Sequence, residues 1–192
     1  MDFPVPRLKS AIDDSVDDDG LPVIVPRNQN PVVTTLPERA ERLREHLTEV
    51  LCASRPMADP KRPPPLEPEN FAARVARAAC SLCRGWCCRN GGDHAFLDEP
   101  TLARVRRARP ETSVNSILQL YGERVPAAGY SGSCVFHGKD GCTLERTLRS
   151  DVCNNYFCGG LHGYLASGDA RAPVIVIAGE GDEMRTSPVL IP

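Results

Sequence analysis

Apolar residues recur at helical spacing early in the chain. Between about residues 36 and 53, six apolar positions fall on one helical face, and Thr35 and Glu38 have the spacing of a capping box. This pattern predicts an amphipathic helix whose apolar stripe packs on a core. The six positions are Leu36, Ala40, Leu43, Leu47, Val50 and Leu51.

The same spacing predicts three further helices. One begins near residue 69 and runs into the first cysteines. The other two cover 98–108 and 113–124, with Asp98 and Ser113 as N-caps. The final segment, APVIVIAGEGDEMRTSPVLIP, predicts two short strands around a Gly-Glu-Gly-Asp turn.

Prolines and aspartates dominate the segments outside these elements. They predict a disordered, acidic and Pro-rich tail over residues 1–34, and a Pro-rich linker after the first helix, within 35–68. A cysteine-cluster domain is expected over 69–165, and an extension with short strands over 166–192. The predicted fold class is a small, mainly α, cysteine-rich and metal-stapled domain with short β elements, behind a long disordered Pro-rich N-terminal region.

Composition narrows the possible functions. The formal net charge is −2, whereas a sequence-independent nucleic-acid binder needs a large basic surplus. No run of about 18 apolar residues is present, so no membrane span is predicted. Aromatic residues make up only 5% of the chain, which leaves little material for a conventional core. Small domains with so little core often need a disulfide or a bound metal for stability.

Nine cysteines are the most unusual feature of the composition. Such a number indicates either disulfides or metal, and the cellular compartment decides between them. The N-terminal residues lack the apolar segment of a secretory signal, so we expect a cytoplasmic protein with reduced thiols. The odd number of cysteines also fits disulfides poorly. Metal binding is therefore the preferred interpretation.

Eight of these cysteines form two groups. Four lie within nine residues, and four more within twenty-five residues further along the chain. Thiolates at this spacing can converge on tetrahedral zinc or on a [4Fe–4S] cluster, so the expected cofactor is zinc or iron. The predicted metal ligands are Cys80, Cys83, Cys87, Cys88, Cys134, Cys142, Cys153 and Cys158.

Other residues near these two groups are expected to contribute less. Cys52 is far from both groups and is interpreted as a small buried or free thiol. Cys87 and Cys88 are adjacent, so they either serve two centres or include one residue that is not a ligand. His94, His137 and His162 could supply nitrogen ligands, and His137 is the best placed because it lies between two cysteines.

The cysteine elements over about residues 70–160 resemble those of the YkgJ-like zinc- or iron-chelating cysteine-cluster family. The matching elements are Cys80 to Cys88 at a helix end, Cys134-Val135-Phe136, Gly141-Cys142 and Cys153 to Cys158. The chain departs from the family pattern at Arg149-Ser150 and at Asn154. The resemblance implies a metal-binding fold with these thiolates as ligands, and it implies no particular activity.

Three functions remain open from the sequence. The first is a non-catalytic metal-binding protein, and the second is an iron–sulfur electron carrier or accessory subunit of a protein-methylating enzyme. The third is a zinc-finger-like nucleic-acid binder, suggested by the arginines between residues 71 and 125. No nucleotide-binding loop or catalytic triad stands out, so an enzyme is not favoured. The metal ion is the only predicted partner, and no protein partner can be named.

Overall fold

The computed structural model describes residues 20–53, 70–168 and 171–192. These residues contain six α-helices, seven strands and two 3-10 helices. In chain order the helices and strands are β1 (Leu21–Val25), β2 (Val32–Thr34), α1 (Pro37–Ala53), α2 (Phe71–Cys83), α3 (Glu99–Ala108), α4 (Val114–Gly122), β3 (Ala128–Tyr130), β4 (His137–Gly138), β5 (Gly141–Cys142), α5 (Asp151–Asn155), α6 (Gly159–Ser167), β6 (Val174–Ala178) and β7 (Arg185–Thr186). The 3-10 helices are Trp86–Asn90 and Gly181–Glu183.

The chain divides into two compact units. Of the described residues, unit 1 holds 20–25, 70–82, 159–168 and 171–192, and unit 2 holds 26–53 and 83–158. Unit 2 therefore contains all of the segment between the end of α2 and the start of α6, including most of the cysteines.

The hydrophobic core of unit 2 is built mainly on α1, α3 and α4. The side chain of Asp98 accepts a hydrogen bond from the backbone N–H of Thr101, and that of Ser113 accepts one from Ser116, so α3 and α4 both begin at a side-chain cap. The inward faces of the three helices are fully buried and meet Val135, Phe136, Leu144 and Leu148. The helical residues of this core are Leu43, Leu47, Leu51, Leu102, Val105, Ile117, Leu118 and Tyr121.

A four-stranded antiparallel sheet completes unit 2, in the order β2-β3-β4-β5. Its strands are short, and the register places His137 opposite Cys142 and Gly138 opposite Gly141. β3 and β4 approach each other closely at Gly129, because a Cβ at this position would lie only 2.7 Å from the carbonyl oxygen of His137. Glycine at this position allows β3 and β4 to pair.

Unit 1 has a three-stranded sheet in the order β1-β6-β7, and β1 is parallel to β6. Val23 and Val25 of β1 are buried, as are Val174, Val176, Ile177 and Ala178 of β6. The N-terminal end of α6 lies against β1, and a Cβ on Gly160 would clash at 1.7 Å with the carbonyl oxygen of Ile24. Glycine is thus required where this helix meets the strand.

The predicted fold class is wrong. Six helices accompany two sheets, so the described residues form a mixed α/β structure rather than a small, mainly α, metal-stapled domain. Part of the predicted disordered N-terminal region also forms strands, because residues 20–34 contain β1 and β2. The partner of β1 lies about 150 residues further along the chain, so no local pattern could indicate this pairing. Pro22 is tolerated because β1 is an edge strand.

The four predicted helices are confirmed as α1, α2, α3 and α4. The caps at Asp98 and Ser113 and the two C-terminal strands, which pair in antiparallel fashion as β6 and β7, are also confirmed. Residues 1–19 and most of the predicted Pro-rich linker lie outside the described residues. Within the described ranges, no helix is both long and apolar enough to cross a membrane.

Candidate metal centre

The predicted ligands lie on six short segments of the structure. Cys80 and Cys83 are on α2, Cys87 and Cys88 are on the 3-10 helix Trp86–Asn90, and Cys134 is in the loop before β4. Cys142 is on β5, Cys153 is on α5, and Cys158 directly precedes α6. Unit 2 contains seven of the eight, whereas Cys80 belongs to unit 1. All nine cysteines are among the described residues, and none forms a disulfide.

A tight turn after α2 leads the chain to the two adjacent cysteines. Arg84 and Gly85 both adopt positive φ angles, 52° and 67°, in the left-handed region that favours glycine. The sulfur of Cys83 accepts a hydrogen bond from the backbone N–H of Trp86 at 3.3 Å, which helps to hold the turn. The helix that carries Cys87 and Cys88 starts directly after this turn.

Cys87 and Cys88 interact directly through their side chains. A hydrogen bond from the thiol of Cys88 lowers the pKa of Cys87 to about 7. The pKa of Cys88 is raised, first because its thiol donates this hydrogen bond and next because it is partly buried. Negative charge on Cys87, Cys134 and Cys142 raises it further, which indicates that these sulfurs lie within electrostatic range.

Cys134 is held beside Cys88 by the backbone. Its N–H donates a 2.8 Å hydrogen bond to the carbonyl oxygen of Cys88. A Cβ on Gly91 would lie 2.8 Å from the Cβ of Cys134 and 3.2 Å from its sulfur, so the glycine lets the two segments pack closely. Burial raises the pKa of Cys134 to about 12, and the charges of Cys142 and Cys153 add to the effect.

Cys153 and Cys158 lie near the same group of thiols. Burial raises the pKa of Cys153, and the charges of Cys142 and Cys87 raise it further. The exposed Tyr156 has a raised pKa, caused by desolvation and by the charges of Cys87, Cys158 and Cys83. Five thiols from four segments of unit 2, defined here as the thiol group, are therefore linked by mutual electrostatic effects: Cys87, Cys88, Cys134, Cys142 and Cys153.

His137 on β4 is opposite Cys142 and is only 1% exposed. Its Nδ1 is 2.7 Å from the hydroxyl oxygen of Ser133, and its ring packs on Tyr130 with centroids 4.5 Å apart and planes tilted by 32°. Burial lowers the pKa of His137 to about 4, so the ring is neutral at pH 7. A Cβ on Gly85 would lie 2.4 Å from Nε2 of His137, which explains why the turn carries glycine.

The other two candidate histidines are placed differently. Nδ1 of His94 accepts a hydrogen bond from the N–H of Phe96 at 3.0 Å, so this ring takes part in a loop. His162 is exposed on α6 in unit 1. Cys52 is also exposed, near the end of α1. Of the histidines considered, only His137 is therefore buried beside the thiol group.

Arginine side chains secure the loops that carry the cysteines, and the sequence patterns did not indicate this role. Arg39 of α1 donates to Asp93 at 2.6 Å and to the carbonyl oxygen of Ser133 at 2.5 Å, and Arg42 donates to Asp93 at 2.7 Å. Burial raises the pKa of Asp93, but the hydrogen bonds that its carboxylate accepts from Arg42 and Arg39 outweigh this effect and lower the pKa. Arg104 of α3 likewise donates to the carbonyl oxygens of Thr147 and Arg149.

The donor atoms of these side chains suit a soft metal ion, but the side chains are not close enough together to coordinate one. Thiolates and a neutral imidazole are the ligands that zinc and iron–sulfur centres prefer. Among the described residues, however, no three His, Cys, Asp or Glu side chains stand close enough together to hold a metal ion. Metal binding would therefore require these side chains to close on the ion.

Comparisons with known proteins identify no relative of this chain. The chain matches no family model, and no curated protein or solved structure is significantly similar to it. The resemblance to the YkgJ-like family consequently stays a prediction. The fold and the site together define a mixed α/β protein with a cluster of reduced thiols.

Proposed function

We propose that this chain is a metal-binding protein whose clustered thiolates hold zinc or an iron–sulfur cluster. One observation carries the proposal: the backbone brings thiols from separate segments of unit 2 together, since the N–H of Cys134 donates a 2.8 Å hydrogen bond to the carbonyl oxygen of Cys88 and Cys142 is opposite His137 in the β4–β5 pair. A soft cation needs several thiolates from distant segments.

A bound cation would change the ionisation of the thiol group. Metal binding deprotonates the thiols, and the positive charge of the ion offsets the repulsion between the thiolates. Cys83 and Cys158 are close enough to Tyr156 to affect its ionisation, so they are further ligand candidates in the same unit. Cys80 belongs to unit 1, and its assignment as a ligand stays a prediction from its Cys-x-x-Cys spacing with Cys83.

Metal binding of this kind goes with a reducing compartment, so we propose a cytoplasmic location with it. An iron–sulfur electron carrier or an accessory subunit of a modifying enzyme is a special case of the same proposal. The nucleic-acid alternative is weakened by Arg104, which donates to two backbone carbonyls and is 3.4 Å from the carboxylate of Asp151.

The test is the metal content of the full chain, purified without oxygen and without an affinity metal. We expect stoichiometric zinc, or iron with acid-labile sulfide and a broad absorption band near about 400 nm. Cys142→Ser should lower metal retention at least about tenfold, because it removes a thiolate from the thiol group. Cys52→Ser is the matched control, since Cys52 is exposed and away from the other cysteines in sequence. Wild-type protein that retains neither metal, and takes up neither when supplied, would overturn the proposal.

A further inference from the structure

We infer that His137 supplies a nitrogen ligand to the metal through Nε2, and that Ser133 is the residue that orients it. The site would then be a mixed thiolate–imidazole centre rather than an all-cysteine one. This inference rests on the proposed metal-binding function and names a ligand that the cysteine pattern does not contain.

The first step is the environment of the ring. His137 is 1% exposed and Ser133 is 2% exposed, so their 2.7 Å hydrogen bond is sheltered from water. Histidines that bind metals usually donate the other ring N–H to a fixed partner, which sets the tautomer. With Nδ1–H donating to the Ser133 hydroxyl oxygen, the lone pair lies on Nε2.

The second step is the position of Nε2. The position that a Cβ would take on Gly85 lies 2.4 Å from Nε2 of His137 and 3.3 Å from the sulfur of Cys88. The imidazole nitrogen and this thiol therefore both pack against Gly85, where any side chain would push them apart. The left-handed turn at Arg84 and Gly85 brings the Cys87–Cys88 segment to that position.

The third step is the register of β4 and β5. His137 is directly opposite Cys142, and side chains of opposite residues in an antiparallel pair project from the same face of the sheet. Cys142 is in turn within electrostatic range of Cys88. Nitrogen and sulfur donors at Cys88, His137 and Cys142 therefore lie on neighbouring segments of unit 2, and a metal ion would bind them once their side chains close on it.

Ser133 is tied to the rest of unit 2 independently of the ring. Its carbonyl oxygen accepts a hydrogen bond from Arg39, which is also paired with Asp93. The backbone that carries the Ser133 hydroxyl is therefore fixed to α1. A fixed hydroxyl holds the imidazole in one orientation, which is the function of a positioning residue.

The direct test is NMR of the 15N-histidine-labelled full chain, recorded without oxygen before and after addition of zinc. Zinc should shift Nε2 of His137 to the position of a metal-bound nitrogen, with the proton on Nδ1, and should leave the exposed His162 unchanged. This measurement uses the wild-type chain, so it does not depend on the folding of any variant. Zinc uptake with no change at His137 would overturn the inference and leave the proposed function standing.

Variants give a second readout. His137→Asn should weaken zinc binding at least about tenfold, whereas His162→Asn should bind zinc like the wild type. Ser133→Ala should weaken it about 10- to 100-fold and change the Nδ1 signal of His137, and Ser133→Thr should restore both because it keeps the hydroxyl. Unchanged zinc affinity in a folded His137→Asn variant would contradict the inference. Absence of zinc and iron binding in the wild type would instead contradict the proposed function itself.

Discussion

Two regions of unit 2 are held together in different ways. The helical core, formed by α1, α3 and α4, rests on long capped helices with fully buried aliphatic faces. The cysteine region, residues 83–92 and 134–158, consists of a 3-10 turn, two-residue strands and a five-residue helix. It is anchored in the core by Phe136 and Leu148, but its loops are held by hydrogen bonds to arginines and by close-packed glycines.

From this comparison we expect that the fold of unit 2 does not depend on metal as a substitute for a core. Apolar burial supports the helices directly, because each fully buried aliphatic side chain contributes about 1.5–3 kcal/mol. The cysteine region has less of this burial: Cys134 belongs to the core and Cys88 and Cys142 pack against it, but its loops rely on polar contacts. We therefore expect metal to order the cysteine region, and the helical core to remain folded without metal.

The largest effect should follow from damage to the helical core. Leu102 of α3 is fully buried, and Leu102→Ala should lower the free energy of unfolding by about 2–5 kcal/mol, because it removes apolar contacts and leaves a cavity. Leu36→Ala is the control, since Leu36 is 61% exposed. Urea unfolding of the metal-free protein measures both. Equal unfolding free energies of the two variants would contradict the comparison, because the stability of unit 2 would then not depend on the helical core.

A smaller effect is expected at the ion pairs between α1 and the loop after the 3-10 helix. Asp93→Asn should cost about 1–2 kcal/mol at neutral pH, because it weakens the charged hydrogen bonds from Arg39 and Arg42. The pKa of Asp93 is lowered in the folded state, so its contribution is present above the unfolded pKa of about 3.9 and is lost as the pH falls through the folded pKa.

The pH dependence provides the check on this ion pair. The difference in unfolding free energy between wild type and Asp93→Asn should stay constant near pH 7 and close on acidification below about pH 4. Asp140→Asn is the control, because the Asp140 side chain is 87% exposed and its ion pair with Lys139 is long, at 4.0 Å. A difference that persists at low pH would show that the carboxylate charge is not what joins the two regions.

Tyr121 joins the helical core to the cysteine region by a single hydrogen bond. Its buried hydroxyl donates to the carbonyl oxygen of Leu148 at 2.9 Å. Tyr121→Phe should lower the unfolding free energy by about 1 kcal/mol, because the carbonyl loses its donor while the packing of the ring is kept. Thermal unfolding can resolve this change, with the exposed Tyr156→Phe as the reference. A loss as large as that of Leu102→Ala would mean that the link is not one ordinary hydrogen bond.

The smallest effect is expected at the remaining cysteine. Cys52 is exposed, so Cys52→Ala should change the unfolding free energy by less than about 0.5 kcal/mol and leave metal content unaltered. Metal analysis and urea unfolding of the same preparation measure both quantities. Loss of metal in this variant would place Cys52 among the ligands and contradict the division between the two regions.

The sequence predicted what depends on local pattern. The buried positions of α1 (Leu43, Leu47 and Leu51), the caps at Asp98 and Ser113, and the turn between β6 and β7 were all visible in the order of residues. Leu36, predicted on the same apolar stripe, precedes α1 and is 61% exposed. The pairing of β1 with β6 was not, because it joins residues about 150 positions apart and β1 contains a proline. The predicted mainly α fold failed for this reason.

The cysteines of the candidate site could be predicted from the sequence, but their spatial arrangement could not. Cysteine spacing identified the thiols, but the contact of His137 with Ser133 and its packing against Gly85 depend on the tertiary structure. A faint local signal did exist, since glycines stand at positions 85, 91 and 92 between and after the clustered cysteines. The roles of Arg39 and Asp93 left no such signal, because they come from distant segments.

Amide hydrogen exchange of the full chain, compared with and without bound zinc, tests the distinction between the two regions most directly. We expect peptides from residues 83–92 and 134–158 to exchange about tenfold or more slowly when zinc is bound, because the metal suppresses local opening there. Peptides from α3 and α4 should exchange equally in both states. Equal slowing in α3 and α4 would show that metal supports the whole unit, and no slowing in the cysteine region would show that the metal does not act there.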